Sequence, residues 1–201
     1  MSKIQANQIQ HTQNGAAVFT LPTSDGSTGQ VMKTDGSGAL SFVTQSAAGI
    51  SQADEWRVHT NFDTYDAYLT SNWERNDTAF SLIGSGMTES SGVFTFPATG
   101  IYSVDFRLGA YRTSAQYIRY VGAFIYATTD NSSWNTRAQS YGSIADDAIA
   151  NCTVPAGMIF DVQDTSTHKV KFRILAEDTV TVRTGTDRQD TGVRFIRLGD
   201  T

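Results

Sequence analysis

The sequence predicts an all-β protein, a sandwich or barrel-like fold of about ten short strands. Three observations predict it. Thr, Ser, Gly and aromatic residues are plentiful, whereas Leu, Glu and Lys, the usual helix builders, are scarce. Short apolar runs recur along the chain, separated by Gly, Pro and Asp-Gly punctuation. No stretch carries an amphipathic helical stripe of useful length.

The 201 residues suffice for one well-cored domain with a small appendage. A net charge of -5 with no run of Lys or Arg leaves no footprint for nucleic acid, and none is expected as a partner. Cys152 is the only cysteine, which rules out an intrachain disulfide and a cysteine-based zinc site. It reads as a small buried hydrophobe. The opening "MSKIQANQIQHTQNG" is polar throughout, so no signal peptide is expected there. No apolar run approaches ~18 residues, so no membrane partner is expected either.

Residues 1–50 differ from the rest and read as an attachment segment. "DGSTG" at Asp25 and "DGSGA" at Asp35 are tight-turn signals, because Gly accepts positive φ. "QVMKT" and "LSFV" beside them read as short strands in a small hairpin or meander. A lone hairpin is marginal in water, so it must lean on a partner or another copy. "TQSAAGISQ" (residues 44–52) reads as a linker to a main domain at 51–201.

Within that domain strands are expected at "TAFSLIG" from Thr78, "GVFTFP" from Gly92 and "IYSVDFRLGAY" from Ile101. In the last, Tyr102, Val104, Phe106 and Leu108 share one face while Ser103, Asp105 and Arg107 share the other. "YIRYVGAFIYATT" is apolar on both faces. Tyr117, Tyr120, Phe124 and Tyr126 therefore fit either a subunit interface or an ordinary central strand. "MIFDV", "HKVKFRIL", "TVTVRT" and "GVRFIRL" are the remaining strands, punctuated by Pro155-Ala156-Gly157 and Gly185.

"SGVFTFPATGIYSVDF" reads as strand, corner, strand. Pro97 has no N–H for a ladder, Gly100 permits the sharp turn and Ile101 opens the next strand. The spacing Gly-x-Phe-x-x-Pro-x-x-Gly-x-Tyr, met by Gly92, Phe94, Pro97, Gly100 and Tyr102, resembles the signature of the complement globular-head family, relatives of the tumour necrosis factor jelly roll. The resemblance covers about residues 72–201. It implies a jelly-roll sandwich and a homotrimer. "GISQADEWRVHTNF", "NWERND" and "GSGMTESSGVFTFPATGIY" resemble virion structural proteins of marine tailed bacteriophages. "GSTGQVMKTDGSGALSFV" resembles the short β segment near the N-terminus of many phage fibre and appendage proteins.

Candidate chemistry is sparse. His11, His59 and His168 are scattered. Asp146-Asp147, Asp161 with Asp164, and Asp187 with Asp190 fit solvated loops or a loop-bound calcium, but no EF-hand spacing is present. No cofactor is expected. Gly84 to Gly86 lack the Gly-Lys-Ser/Thr ending of a phosphate loop. Arg188 and Gln189 in "TGTDRQDTG" either contact a glycan or protein or belong to a plain connection. Trp134 in the loop "TTDNSSWNTR" either contacts a ligand or folds into the core.

The function these residues and resemblances imply is non-enzymatic: a homotrimeric virion decoration, spike or fibre protein, held to a phage capsid or tail protein by residues 1–50. The alternative is a receptor-binding tip that reads a host glycan or protein through distal loops. A complement-type domain unrelated to phages is a third reading, which a secretory signal would favour.

Overall fold

The computed structural model describes residues 7–10, 18–44, 49–77, 80 and 82–201. His11, residues 45–48 of the expected linker and the start of the strand expected from Thr78 lie outside the described residues; the described end of that strand forms only a bridge from Ile83 to Ala53. The chain divides into two compact units, Met1–Gly49 and Ile50–Thr201.

In the first unit β1 (Gln8–Gln10) pairs with β2 (Val18–Thr20), and β3 (Gln30–Thr34) with β4 (Leu40–Thr44), both antiparallel. The second Asp-Gly closes the β3–β4 hairpin: Gly36 sits at φ +82°. Asp35 Oδ1 accepts the N–H of Ser37 at 2.8 Å and of Ala39 at 3.0 Å. These bonds, that of Ser37 foremost, hold its carboxyl below the usual aspartate range. The first Asp-Gly makes no turn. The bend falls at Ser27–Gln30, and Gly26 lies against the Phe42 ring, where a Cβ would come within 2.6 Å.

The second unit contains β5 (Ala53–Val58), β6 (Phe62–Tyr68), β7 (Trp73–Arg75), β8 (Thr88–Ser90), β9 (Val93–Thr95), β10 (Gly100–Arg112), β11 (Ile118–Thr128), β12 (Asn135–Ile144), β13 (Ala150–Val162), β14 (Lys169–Val182) and β15 (Gly192–Gly199). No described residue is helical. The strands form an 11-stranded sheet folded into two facing layers. One layer runs β7–β5–β15–β10–β13; the other runs β12–β11–β14, with β6 and β9 sharing the far side of β14. Among the described residues only Ala110↔Val182 and Tyr111↔Thr181 join the layers along a ladder. At the opposite seam the Ser140 hydroxyl of β12 donates to the Pro155 carbonyl of β13. The product is a jelly roll nearly closed into a barrel.

Period-two alternation fills the space between the layers. Tyr102, Val104, Phe106 and Leu108 of β10 are buried while Asp105 and Arg107 face out, as the sequence pattern predicts. Val170, Phe172 and Ile174 meet them from β14, with the Phe106 and Phe172 ring centroids 4.8 Å apart.

Three strands differ from expectation. β14 is continuous where "HKVKFRIL" and "TVTVRT" read as two strands. Its acidic middle is held by Arg119 to Glu177 and Arg112 to Asp178. β13 begins at Ala150 and runs straight through Pro155-Ala156-Gly157. It has a ladder on one side only, with β10, so a residue lacking N–H is tolerated there. β12 starts at Asn135, inside the stretch read as a loop. Its side chains are mostly exposed, which erases the apolar signal of a strand.

The Gly-Phe-Pro-Gly-Tyr signature is architectural. Ser91 and Gly92 link β8 to β9 with φ of +51° and +79°, a two-residue hairpin turn of the kind that matches strand twist. Phe94 lies at the centre of the core. After the Pro97 corner, buried Tyr102 donates its hydroxyl back to the Ala98 carbonyl at 3.0 Å and ties the corner shut. Burial raises the Tyr102 hydroxyl above its ordinary pKa.

Gly100 has φ +142°, and a Cβ there would lie 2.6 Å from the Gly199 carbonyl oxygen. Gly100→Val is expected to destabilise the second unit by about 1–3 kcal/mol through strain and displacement of β15. Thermal melting checks this, and an unchanged midpoint would contradict it.

Candidate functional site

The first cluster of functional groups is structural. Asp54, 2% exposed, accepts from Arg75 Nε at 3.0 Å, Trp56 Nε1 at 2.9 Å and the Met87 N–H at 2.7 Å. It thereby ties β5, β7 and the segment before β8. Arg57 points to the other side of β5 and is also 2% exposed. It donates to Glu74 at 3.2 Å, Asn76 at 2.7 Å and Asp77 at 2.9 Å. Sequence reasoning missed both. The legible signal was opposite charge on adjoining segments, "DEWR" against "WERND".

The outward face of β6, β14, β11 and β12 carries aromatic rings. Tyr68 meets Tyr126 at 5.3 Å, and Phe124 meets Tyr141 at 5.6 Å, both edge to face. Gly122 makes room for this, since a Cβ there would lie 2.8 Å from both Phe124 and Tyr141. Phe124 is thus buried, Tyr120 and Tyr126 are half-buried, and Tyr117 is exposed just before β11. Trp134 belongs to neither the core nor an open loop. It sits half-buried just before β12, with Lys171 Nζ 4.4 Å from its ring centroid. The same ammonium is 4.5 Å from the Tyr68 ring, and burial lowers its pKa. Beside it Arg173 forms a two-pronged pair with Asp66, both bonds 2.7 Å. That bond holds Asp66 below its ordinary pKa.

The outward face of the other layer is different. Ile159 is 70% exposed and flanks Ser103 in one row with half-buried Ile196; Ile101 lies one step along. Leu198 is 56% exposed nearby on β15. Next to this aliphatic row is a groove of about 420 Å³ lined by Asp105, Arg107, Gln189 and Arg194.

Arg188 and Gln189 lie on the β14–β15 loop but do different things. Arg188 is exposed and pairs with Asp190 at 2.9 Å, beside a polar cleft of about 480 Å³ that also includes His59 and Asn61. Gln189 turns inward toward the Trp56 and Val193 carbonyls, 3.4 Å from each. Trp134 belongs to the outward face of β12's layer, not to this loop. His168 is buried against Phe160, and His59 is exposed. Among the described residues no group of three His, Cys, Asp or Glu is placed to hold a metal ion. Cys152 is half-buried on β13, and burial pushes its thiol up to about 11, away from nucleophilic reactivity.

This architecture defines a class, the tumour necrosis factor-like jelly roll. The chain is similar in fold to murine APRIL, with a TM-score of 0.54 at 12% identity, covering 73% of this chain and 98% of that one. It is similar to Eiger TNF from S. frugiperda, with a TM-score of 0.54 at 15% identity, covering 74% and 93%. No protein-family model and no curated protein matches the sequence.

Proposed function

We propose that the chain is a non-enzymatic virion component of a tailed bacteriophage, a homotrimeric jelly-roll decoration, spike or fibre protein. Residues 1–50 form the attachment segment that holds it to a capsid or tail protein. The observation that carries the reading is the aliphatic row on one layer of the sandwich, in which Ile159 and Leu198 stand exposed beside half-buried Ile101 and Ile196. We place the contact between sister copies on this row; of the β11 aromatics, Phe124 is already covered by its own neighbours, while Tyr120 and Tyr126 stay half-buried. Mixed charge beside it, Asp105 against Arg107 and Arg194, suits a surface meeting other copies of itself. Support for attachment comes from the first unit, whose Ile9, Phe19, Val31 and Met32 stand exposed on short hairpins. The phage assignment rests on the resemblance of "GSTGQVMKTDGSGALSFV" to appendage proteins.

Light scattering of the full chain tests the reading. A trimer mass is expected, and a monomer at micromolar concentration would overturn it. Ile159→Asp, which buries a charge in the contact, is expected to weaken association by at least about a hundredfold while leaving the circular dichroism unchanged.

A further inference from the structure

We propose that the outward face of β6, β14, β11 and β12 binds an acidic polysaccharide, a chain of sugars bearing carboxylates. The inference goes beyond the structural role above and does not need it, since a monomer would carry the same face.

Rings supply the platform. Tyr68 on β6, Tyr126 on β11, Tyr141 on β12 and Trp134 at its entry line the face, with buried Phe124 packed beneath Tyr141. Four strands span about 14 Å, long enough for several sugar units and longer than a single headgroup needs. The rings pack on one another and on the close approach at Gly122, so binding costs little further ordering.

Charge selects the ligand. Lys169, Lys171 and Arg173 alternate along β14, and Arg173 is paired with Asp66. Among the described residues Lys169 and Lys171 form no ion pair. Two uncompensated cations therefore stand on a protein of net charge -5. A local charge against the sign of the whole molecule attracts a partner of opposite sign. Lys171 is held between the Tyr68 and Trp134 rings, poised for a carboxylate.

Hydroxyl recognition is also present. The Asp66–Arg173 pair is partly exposed and keeps free lone pairs on the carboxylate. The Tyr126 hydroxyl lies 3.2 Å from Arg173. Aliphatic residues, the core of a protein–protein contact, are scarce here, and nucleic acid would call for a denser basic strip.

The test is calorimetric titration of the full chain with a short oligogalacturonate and with its methyl-esterified form, which keeps the rings and loses the charge. Saturable binding to the acid form that weakens with salt, and little binding to the ester, is expected. Lys171→Gln is expected to weaken it at least about tenfold without changing the mass seen by light scattering. Trp134→Ala should weaken it similarly; should that variant misfold, Lys171→Gln still decides. No saturable binding, equal binding of the ester, or wild-type affinity in Lys171→Gln would overturn the proposal. So would a change of oligomeric mass in Lys171→Gln, which would assign the face to a sister copy.

Discussion

Phe94→Ala is expected to destabilise the second unit by about 4 kcal/mol, a loss in the upper range for truncating a core side chain. Phe94 is fully buried and touches rings from both layers: Trp73 at 5.1 Å, Phe195 at 5.3 Å, Trp56 at 5.5 Å and Phe172 at 5.6 Å. Removing it loses apolar burial and leaves a cavity that cannot collapse, because the surrounding rings belong to strands fixed by their ladders. In a unit of this size the melting midpoint should fall by roughly 10 °C. Phe19→Ala supplies the contrast: that ring is 40% exposed, and its loss should change stability by less than about 1 kcal/mol. Denaturant titration of both variants checks the difference, and equal effects would refute the assignment of Phe94 to the core centre.

Asp54→Ala should cost about 3 kcal/mol. The carboxylate joins Arg75, the Trp56 indole and the Met87 N–H at a site closed to water. Its removal strands donors rather than merely deleting bonds, which is why the loss exceeds the ordinary value of a hydrogen bond. Arg75 remains 37% exposed and can rehydrate, which keeps the loss at the low end for a broken buried pair. Asp54→Asn retains one acceptor oxygen but no charge and should fall between wild type and Asp54→Ala. A loss below about 1 kcal/mol in Asp54→Ala would mean that the ladder and packing hold β5 and β7 without the carboxylate.

Much of the fold was legible because it follows from local chemistry. The alternation of Tyr102, Val104, Phe106 and Leu108 announces a half-buried strand wherever it sits in space. The turn at Gly36 follows from Asp35 and from the freedom of glycine. The spacing from Gly92 to Tyr102 marked the corner, although its closure by the Tyr102–Ala98 bond was not legible. The candidate surfaces were less so. Tyr120, Phe124 and Tyr126 were visible as aromatics of a strand apolar on both faces, but their packing against Tyr68 and Tyr141 depends on strands β6 and β12 lying alongside. Trp134 was visible as a loop aromatic, but not as one wall around Lys171.

By itself the sequence determined the all-β class, the alternation of the core strands and the hairpin between Gln30 and Thr44, because each depends on neighbours along the chain. Only the tertiary structure decided that β12 and the polar half of β13 are strands. It also decided that Asp54 and Arg57 are buried ions and that Lys171 stands between two rings. The physical reason is that side-chain periodicity is a property of one segment. Ladder partners, charge burial and a shared surface are properties of segments far apart in sequence, such as Asp66 and Arg173, which meet only when β6 pairs with β14.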